Sequence, residues 1–188
     1  MDAIEIFFVF YGALLALSAA KLLSGATRLA SRWGTIRIGW TTPLLMLLLL
    51  FDIASFVNTA WRELGVADPG LPLLVACLTA ASAYYVAATM VVPETLADDA
   101  DLDLHYRKTK YFTVGGVLVA NLVGSQVVQL MLKGLPEFLA ARWNGFSAVM
   151  NLVFYGLLVT LLLLRNRATS IIMLATLNAI FVLVLLIF

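Results

Sequence analysis

The sequence predicts an all-α fold, a polytopic transmembrane bundle of about six helices. Of its 188 residues, 63% are hydrophobic and only 12% are charged, whereas a soluble domain has about half apolar and a quarter charged residues. The apolar residues are gathered in long runs, so lipid is the natural solvent for them. The runs are too long for barrel strands, and only helices satisfy every backbone polar group within one segment in lipid.

Six apolar runs are each long enough to span a hydrocarbon core, which takes about 20 residues. They cover residues 4–24, 40–61, 71–92, 111–132, 145–164 and 169–188. The connections are short except at 25–39 and 93–110, and neither of these is long enough to form a second domain. We therefore expect residues 1–188 to form a single transmembrane domain.

The distribution of basic residues predicts the orientation of the bundle. Nine of the twelve Lys and Arg residues fall on the side of the first, third and fifth connections, eight in the connections themselves and Lys21 at the adjoining end of the first helix, and three fall on the opposite side. Because basic loops stay in the cytoplasm, this bias predicts that both termini lie on the outer, periplasmic side of a bacterial inner membrane.

Small residues recur at four-residue spacing in two of the predicted helices. They are Gly12 and Ala16 in the first, and Gly116, Ala120 and Gly124 in the fourth. Such spacing is typical of helix-packing seams and of oligomer interfaces. The same pattern, recurring after three helices, also allows a 3+3 inverted repeat as found in many transporters.

Asp52 is the most informative polar residue, because it falls near the middle of the second apolar run. A carboxylate at that depth costs on the order of 3 kcal/mol, so it should face the interior of the bundle. It is either a proton or cation site or a neutral acid hydrogen-bonded to a neighbouring helix.

Several other polar residues are predicted at the depth of Asp52. Counting 1.5 Å per residue from the cytoplasmic end places the group at roughly 14 to 20 Å. Its members are Asn121, Asn151, Asn178, Tyr11 and Tyr155. Together with Asp52 they form a predicted midplane polar site for an ion, a proton or a polar ligand group. The alternative for each is a hydrogen bond between helices.

The connection at 93–110 is the main polar feature outside the apolar runs. It holds Asp101, Asp103, His105 and Arg107, which would pair at i,i+4 spacing if this stretch is helical. We interpret it as a solvated loop whose charges pair with one another. The alternative, a divalent metal site, matches no specific metal motif.

Further features bear on partners and chemistry. Arg28, Arg32 and Arg37 in the first connection predict contact with anionic lipid headgroups. The net charge of +1 gives no basis for nucleic-acid binding. The chain has one Cys, one His and no catalytic motif, so we do not expect an enzyme. A hydrophobic cofactor would leave little trace in so apolar a sequence, so the sequence does not show whether the protein binds one.

The junction VVPETLADDADLDLHYRKTKYF resembles one in a group of bacterial inner-membrane proteins of about six helices. The resemblance is carried by a proline, by Asp-Leu-His-Tyr and by a basic residue before an aromatic pair. These are Pro93, Asp103, Leu104, His105, Tyr106, Lys110, Tyr111 and Phe112. It implies a location in the bacterial inner membrane, and no activity is assigned to the group.

Three functions stay open at this point. The first is a small transporter or channel-like protein that uses Asp52 to pass a proton, an ion or a small solute. The second is a non-catalytic membrane subunit that binds lipid or a partner and assembles through the small-residue seams. The third is a lipid-modifying enzyme with a metal held by the loop around His105.

The orientation is tested with reporters fused after Phe188. We expect a reporter that is active only in the cytoplasm to be silent and one that is active only in the periplasm to give signal, because the basic loops retain the odd connections inside. The reverse pattern would overturn the predicted orientation.

Overall fold

In the computed structural model, residues 3–63, 70–97 and 99–187 are described, and every regular element in these ranges is a helix. The elements are α1 (Ala3–Ser31), α2 (Thr41–Glu63), α3 (Leu71–Val91), α4 (Leu102–Asn121), a π-helical segment (Leu122–Val127), α5 (Val128–Arg142), α6 (Gly145–Leu163) and α7 (Arg167–Ile187). Because α4, the π-helical segment and α5 are continuous, the chain forms six helical rods. The predicted all-α bundle is confirmed.

Five of the rods are long and apolar enough to cross a membrane. They contain the candidate spans Phe7–Ser31, Thr41–Arg62, Leu71–Val91, Leu102–Arg142 and Gly145–Leu163. The sixth, α7, is also an apolar helix, whose side chains are described over Arg167–Leu183. This number of apolar helices indicates a multi-pass membrane protein.

The first helix is longer than predicted from hydropathy. It continues to Ser31 instead of ending near Ser24, so the basic stretch around Arg28 forms its last turns. The extension is stable because Leu22 and Leu29 are both buried in the bundle. The chain leaves the helix just before Gly34, whose positive φ of 89° suits a residue without a side chain.

The fourth rod also extends beyond the predicted 111–132. It begins at Leu102 because the Asp101 side chain caps it, accepting hydrogen bonds from the Asp103 and Leu104 amides at 3.0 and 3.1 Å. It runs on to Arg142, with a break at Gly134, where φ is 73°. Polar residues that were predicted to lie in loops are therefore helical at both ends of this rod.

The first and third connections and the start of α7 meet at one end of the bundle, which we call the basic end. The backbones of Arg37 and Asp101 pair in a short parallel bridge. Asp103 accepts a hydrogen bond from the Thr41 hydroxyl at 2.6 Å and forms an ion pair with Arg167 at 2.6 Å. These contacts tie α2, α4 and α7 together.

Helix α3 lies at the centre, packed mainly against α1 and α4. Gly116 of α4 lies so close to α3 that an added Cβ would be 2.9 Å from the Ala87 Cβ and 3.0 Å from the Ala83 carbonyl oxygen. In contrast, Gly12 and Ala16 lie on the exposed face of α1. Helix α1 packs mainly on α3, and α7 packs mainly on α2. The inverted repeat is not confirmed by these contacts and stays a prediction.

Replacing Gly116 tests this close approach. We expect Gly116→Leu to lower the free energy of unfolding by about 1–3 kcal/mol, because the side chain would overlap α3. The measurement is thermal unfolding of the purified protein in detergent. Gly115→Leu is the matched control, since a Cβ at Gly115 would have no neighbour within 4 Å and the gain in helix propensity is the same. Equal effects of the two changes would contradict the packing.

Candidate functional site

The candidate site is built around Asp52, the twelfth residue of α2. Its side chain is 2% exposed, and it follows the apolar run from Leu44 to Phe51 directly. The buried face of α2 turns this carboxyl toward α3 and α4. Among the described residues no Lys, Arg or His forms an ion pair with it, so its polar partners are neutral.

Two neighbouring helices supply hydrogen-bond donors to Asp52. The Tyr84 hydroxyl of α3 donates to Oδ2 at 2.8 Å, and the Asn121 side-chain amide of α4 donates to the same oxygen at 2.6 Å. The Asn121 amide also lies 3.2 Å from the Tyr84 hydroxyl and 3.0 Å from the Val117 carbonyl oxygen. Both donors thus end on one carboxyl oxygen, and three helices meet at it.

Tyr84 is a functional candidate that the sequence reasoning missed. It is 0% exposed and lies in α3 among buried alanines, which leave room for its ring. The ring packs edge-on against Phe56 of α2 at 4.9 Å between centroids. The depth count, applied to the third helix from its cytoplasmic end at residue 92, places Tyr84 at about 12 Å, just short of the range that selected Tyr11 and Tyr155.

The helix changes its hydrogen-bond pattern directly after Asn121. In the π-helical segment the Val128 amide bonds to the Val123 carbonyl, five residues back. The backbone carbonyl oxygen of Asn121 also accepts side-chain hydrogen bonds, from the Ser125 hydroxyl at 2.7 Å and the Tyr155 hydroxyl at 3.2 Å. Single π-turns inside α-helices are frequently found at functional sites.

Hydrogen-bonding groups continue from this point toward the end opposite the basic end. The Tyr155 hydroxyl lies 3.0 Å from Ser125 Oγ and accepts from the Gln126 amide at 2.8 Å. The Trp143 indole donates to Gln126 Oε1 at 3.2 Å, and Trp143 is 37% exposed. We call this chain of groups the polar track. Its residues are Asp52, Tyr84, Asn121, Ser125, Gln126, Tyr155 and Trp143.

On the other side of Asp52, toward the basic end, α2 and α4 bury mostly apolar side chains, with Thr41, Thr42 and Thr113 as buried polar exceptions. Five of the apolar side chains, which precede Asp52 in α2 or Asn121 in α4, are at most 1% exposed. We call them the apolar layer, which consists of Leu45, Leu48, Leu49, Val114 and Val117. The carboxyl of Asp52 therefore lies where the polar track meets the apolar layer.

The other residues of the predicted midplane site lie elsewhere. Asn151 donates to the Arg142 carbonyl at 2.7 Å, near the end of α5. Asn178 donates to the Leu44 carbonyl at 2.9 Å and so joins α7 to α2. Tyr11 is buried and stacks on Phe7 with 5.7 Å between ring centroids, and it lies within electrostatic range of Tyr84 without a hydrogen bond to Asp52. Of the six predicted residues, the structure brings together Asp52, Asn121 and Tyr155.

The polar residues of the third connection have separate partners. Asp101 caps α4 and Asp103 pairs with Arg167 instead of Arg107. The His105 ring, through Nε2, donates to the Met90 carbonyl at 3.0 Å. Within the described ranges no group of three His, Cys, Asp or Glu side chains converges on a point where a metal ion would bind.

The arginines predicted to touch lipid headgroups lie at the basic end. Arg28 is half-buried at the end of α1, while Arg32 and Arg37 are exposed.

Among the small-residue positions of the fourth rod, Ala120 is fully buried, and Gly124 lies directly against the Phe56 ring.

Comparison of the chain with protein-family models, curated proteins and solved structures finds no match.

The hydrogen bond between Tyr84 and Asp52 is tested by a double-mutant cycle. We expect the pair Asp52→Leu and Tyr84→Phe to couple by about 1 kcal/mol in the free energy of unfolding in detergent, since hydrogen bonds between membrane helices average about 0.6 and reach about 1.7 kcal/mol. Tyr106→Phe in place of Tyr84→Phe is the control, since Tyr106 is buried near the start of α4, away from Asp52. The same coupling with Tyr106→Phe would contradict a specific contact.

Proposed function

We propose that this membrane protein is a small transporter in which Asp52 binds and releases a proton during the transport cycle. The observation that supports the proposal most directly is a buried, uncompensated carboxyl at the middle of a bundle of apolar helices. Ionisable groups at such a depth are rare and mark ion or proton pathways. Asp52 has two neutral donors on Oδ2 and, in the described part of the chain, no cationic partner.

A proton fits this carboxyl better than a metal cation. The Asn121 amide and the Tyr84 hydroxyl both direct hydrogens at Oδ2. Their positive ends would repel a cation placed beside that oxygen, whereas a proton on the other carboxyl oxygen leaves both hydrogen bonds intact. Asp52 then alternates between a carboxylate that accepts two hydrogen bonds and a carboxylic acid that keeps them.

The surroundings of Asp52 give the proposed site a direction. The polar track leads from Asn121 to Trp143, while the apolar layer separates Asp52 from the basic end. The hydroxyl groups of Ser125 and Tyr155 both donate and accept, as a proton relay requires, but the Asn121 amide between them and Asp52 does not relay a proton. In the proposed pathway a water molecule would bridge Asp52 to these hydroxyls. In this conformation the proposed site communicates with the end opposite the basic end.

Proton flux in proteoliposomes tests the proposal. We expect Asp52→Asn to abolish flux measured with an enclosed pH-sensitive dye under an imposed potential, because an amide does not titrate. The fold should be kept, since the amide oxygen of that variant accepts from the same donors. Asn151→Ala is the control that removes a polar group outside the polar track, and its flux should equal that of the wild type.

Two results would contradict the proposal. One is flux in Asp52→Asn equal to that of the wild type, and the other is no flux from wild-type protein across a range of imposed gradients. The second result would favour the alternative function, a non-catalytic subunit that binds lipid or a partner. The exposed position of Gly12 and Ala16 on α1 is the feature that such a subunit would use.

A further inference from the structure

A cavity of about 280 Å³ opens between the first turns of α4 and the junction of α6 with α7. We call it the basic cavity. Four of its lining side chains are cationic, and no acidic side chain lines it. The four are Arg107, Lys108, Lys110 and Arg165. They come from two distant parts of the sequence, and the fold gathers their charge at one place.

The acidic groups that the structure describes nearby are engaged outside this cavity. Asp103 is held by Arg167 and Thr41, and Asp101 caps α4. Glu94 lies 3.7 Å from Lys21. These contacts leave the positive charge of the basic cavity uncompensated by its own lining.

Lys110 is the buried member of the cationic set, with 4% of its surface exposed. Its ammonium group donates to the Leu164 carbonyl at 2.6 Å, at the end of α6. An ammonium has three donors. The Tyr111 ring lies 5.2 Å from the Lys110 nitrogen in a cation–π contact, and in the described part of the chain the Leu164 carbonyl is the one oxygen that accepts from it. A lysine is rarely buried without an anionic partner, so this site is incomplete without one.

Tyr106 adds a second unsatisfied donor to the same cavity. Its side chain is 3% exposed, and its buried hydroxyl forms no hydrogen bond of good geometry among the described residues, although the Ser170 side chain lies close to it. Buried hydroxyls are normally hydrogen-bonded, and an exception calls for a ligand or another explanation. Ser170 also lines the cavity, with its own hydroxyl donated to the Asn166 carbonyl.

We propose that the basic cavity binds a phosphate group. Guanidinium and ammonium groups together with a phenol hydroxyl offer donors to several phosphate oxygens at once. The cavity lies at the end of the apolar helices, where lipid headgroups are found, so the phosphate belongs either to an anionic lipid or to a soluble phosphate compound. Its volume is near the lower end of ligand pockets, about 300 Å³, which suits a phosphate with a small substituent.

The test measures the shift of the thermal unfolding temperature of the full chain in neutral detergent. One arm titrates inorganic phosphate against chloride at matched ionic strength. The other titrates short-chain phosphatidylglycerol against short-chain phosphatidylcholine. Saturable stabilisation by phosphatidylglycerol alone identifies a lipid headgroup, and saturable stabilisation by inorganic phosphate identifies a soluble compound. No saturable effect of either probe overturns the proposal.

Two variants place the binding in the basic cavity. Arg165→Gln changes an exposed side chain, and Tyr106→Phe removes only a hydroxyl that forms no hydrogen bond of good geometry, so both proteins should unfold like the wild type without added probe. We expect each to weaken, by about tenfold, the binding of the probe that stabilises the wild type, because each variant loses one charge-assisted hydrogen bond to the phosphate. Arg37→Gln, an exposed arginine at the same end, is the control. Equal weakening by Arg37→Gln would show general charge attraction and overturn the site.

Discussion

The arrangement of the central helices depends on one constraint, the need of the Asp52 carboxyl for hydrogen-bond donors in an apolar interior. A carboxyl left without partners there would cost several kcal/mol. The side chains that donate hydrogen bonds to this carboxyl come from the neighbouring helices and not from α2. They are Tyr84 of α3 and Asn121 of α4. Because a hydrogen bond tolerates little displacement, these two contacts fix how far each helix slides and rotates relative to α2.

Close packing and the polar contacts reinforce one another. Gly116 brings α4 against α3, and Gly124 leaves the space that the Phe56 ring occupies. Phe56 in turn packs edge-on against Tyr84, whose hydroxyl reaches Asp52. The wider turn of the π-helical segment rotates the residues that follow Asn121 relative to a regular helix, and Ser125 and Gln126 then meet Tyr155. A larger residue at either glycine would therefore disturb the polar track through packing alone.

The sequence was sufficient for the fold class and for the depth of the polar residues, but not for the faces on which they lie. Hydropathy and length identify the rods, and a depth count pairs Asp52 with Asn121. The same count gives Asn151 and Asn178, which point elsewhere. In a helix that is apolar all round no periodicity distinguishes the side facing protein from the side facing lipid. The cap at Asp101 that starts α4 early was also missed, because a run of acidic residues resembles a solvated loop.

The two ends of the bundle differ in how firmly they are closed. At the basic end the Arg37–Asp101 bridge, the Thr41–Asp103 hydrogen bond and the Asp103–Arg167 ion pair join α2, α4 and α7 above the apolar layer. At the other end the polar track reaches Trp143 through side-chain hydrogen bonds that exchange readily with water. Separation of α2 from α4 at the basic end would break the Thr41–Asp103 hydrogen bond, because Thr41 begins α2 and Asp103 lies in the first turn of α4. The Arg167 side chain is 61% exposed, so its ion pair contributes little stability in water. The Thr41–Asp103 hydrogen bond, with Thr41 buried, is then the contact whose loss most directly frees the basic end to open.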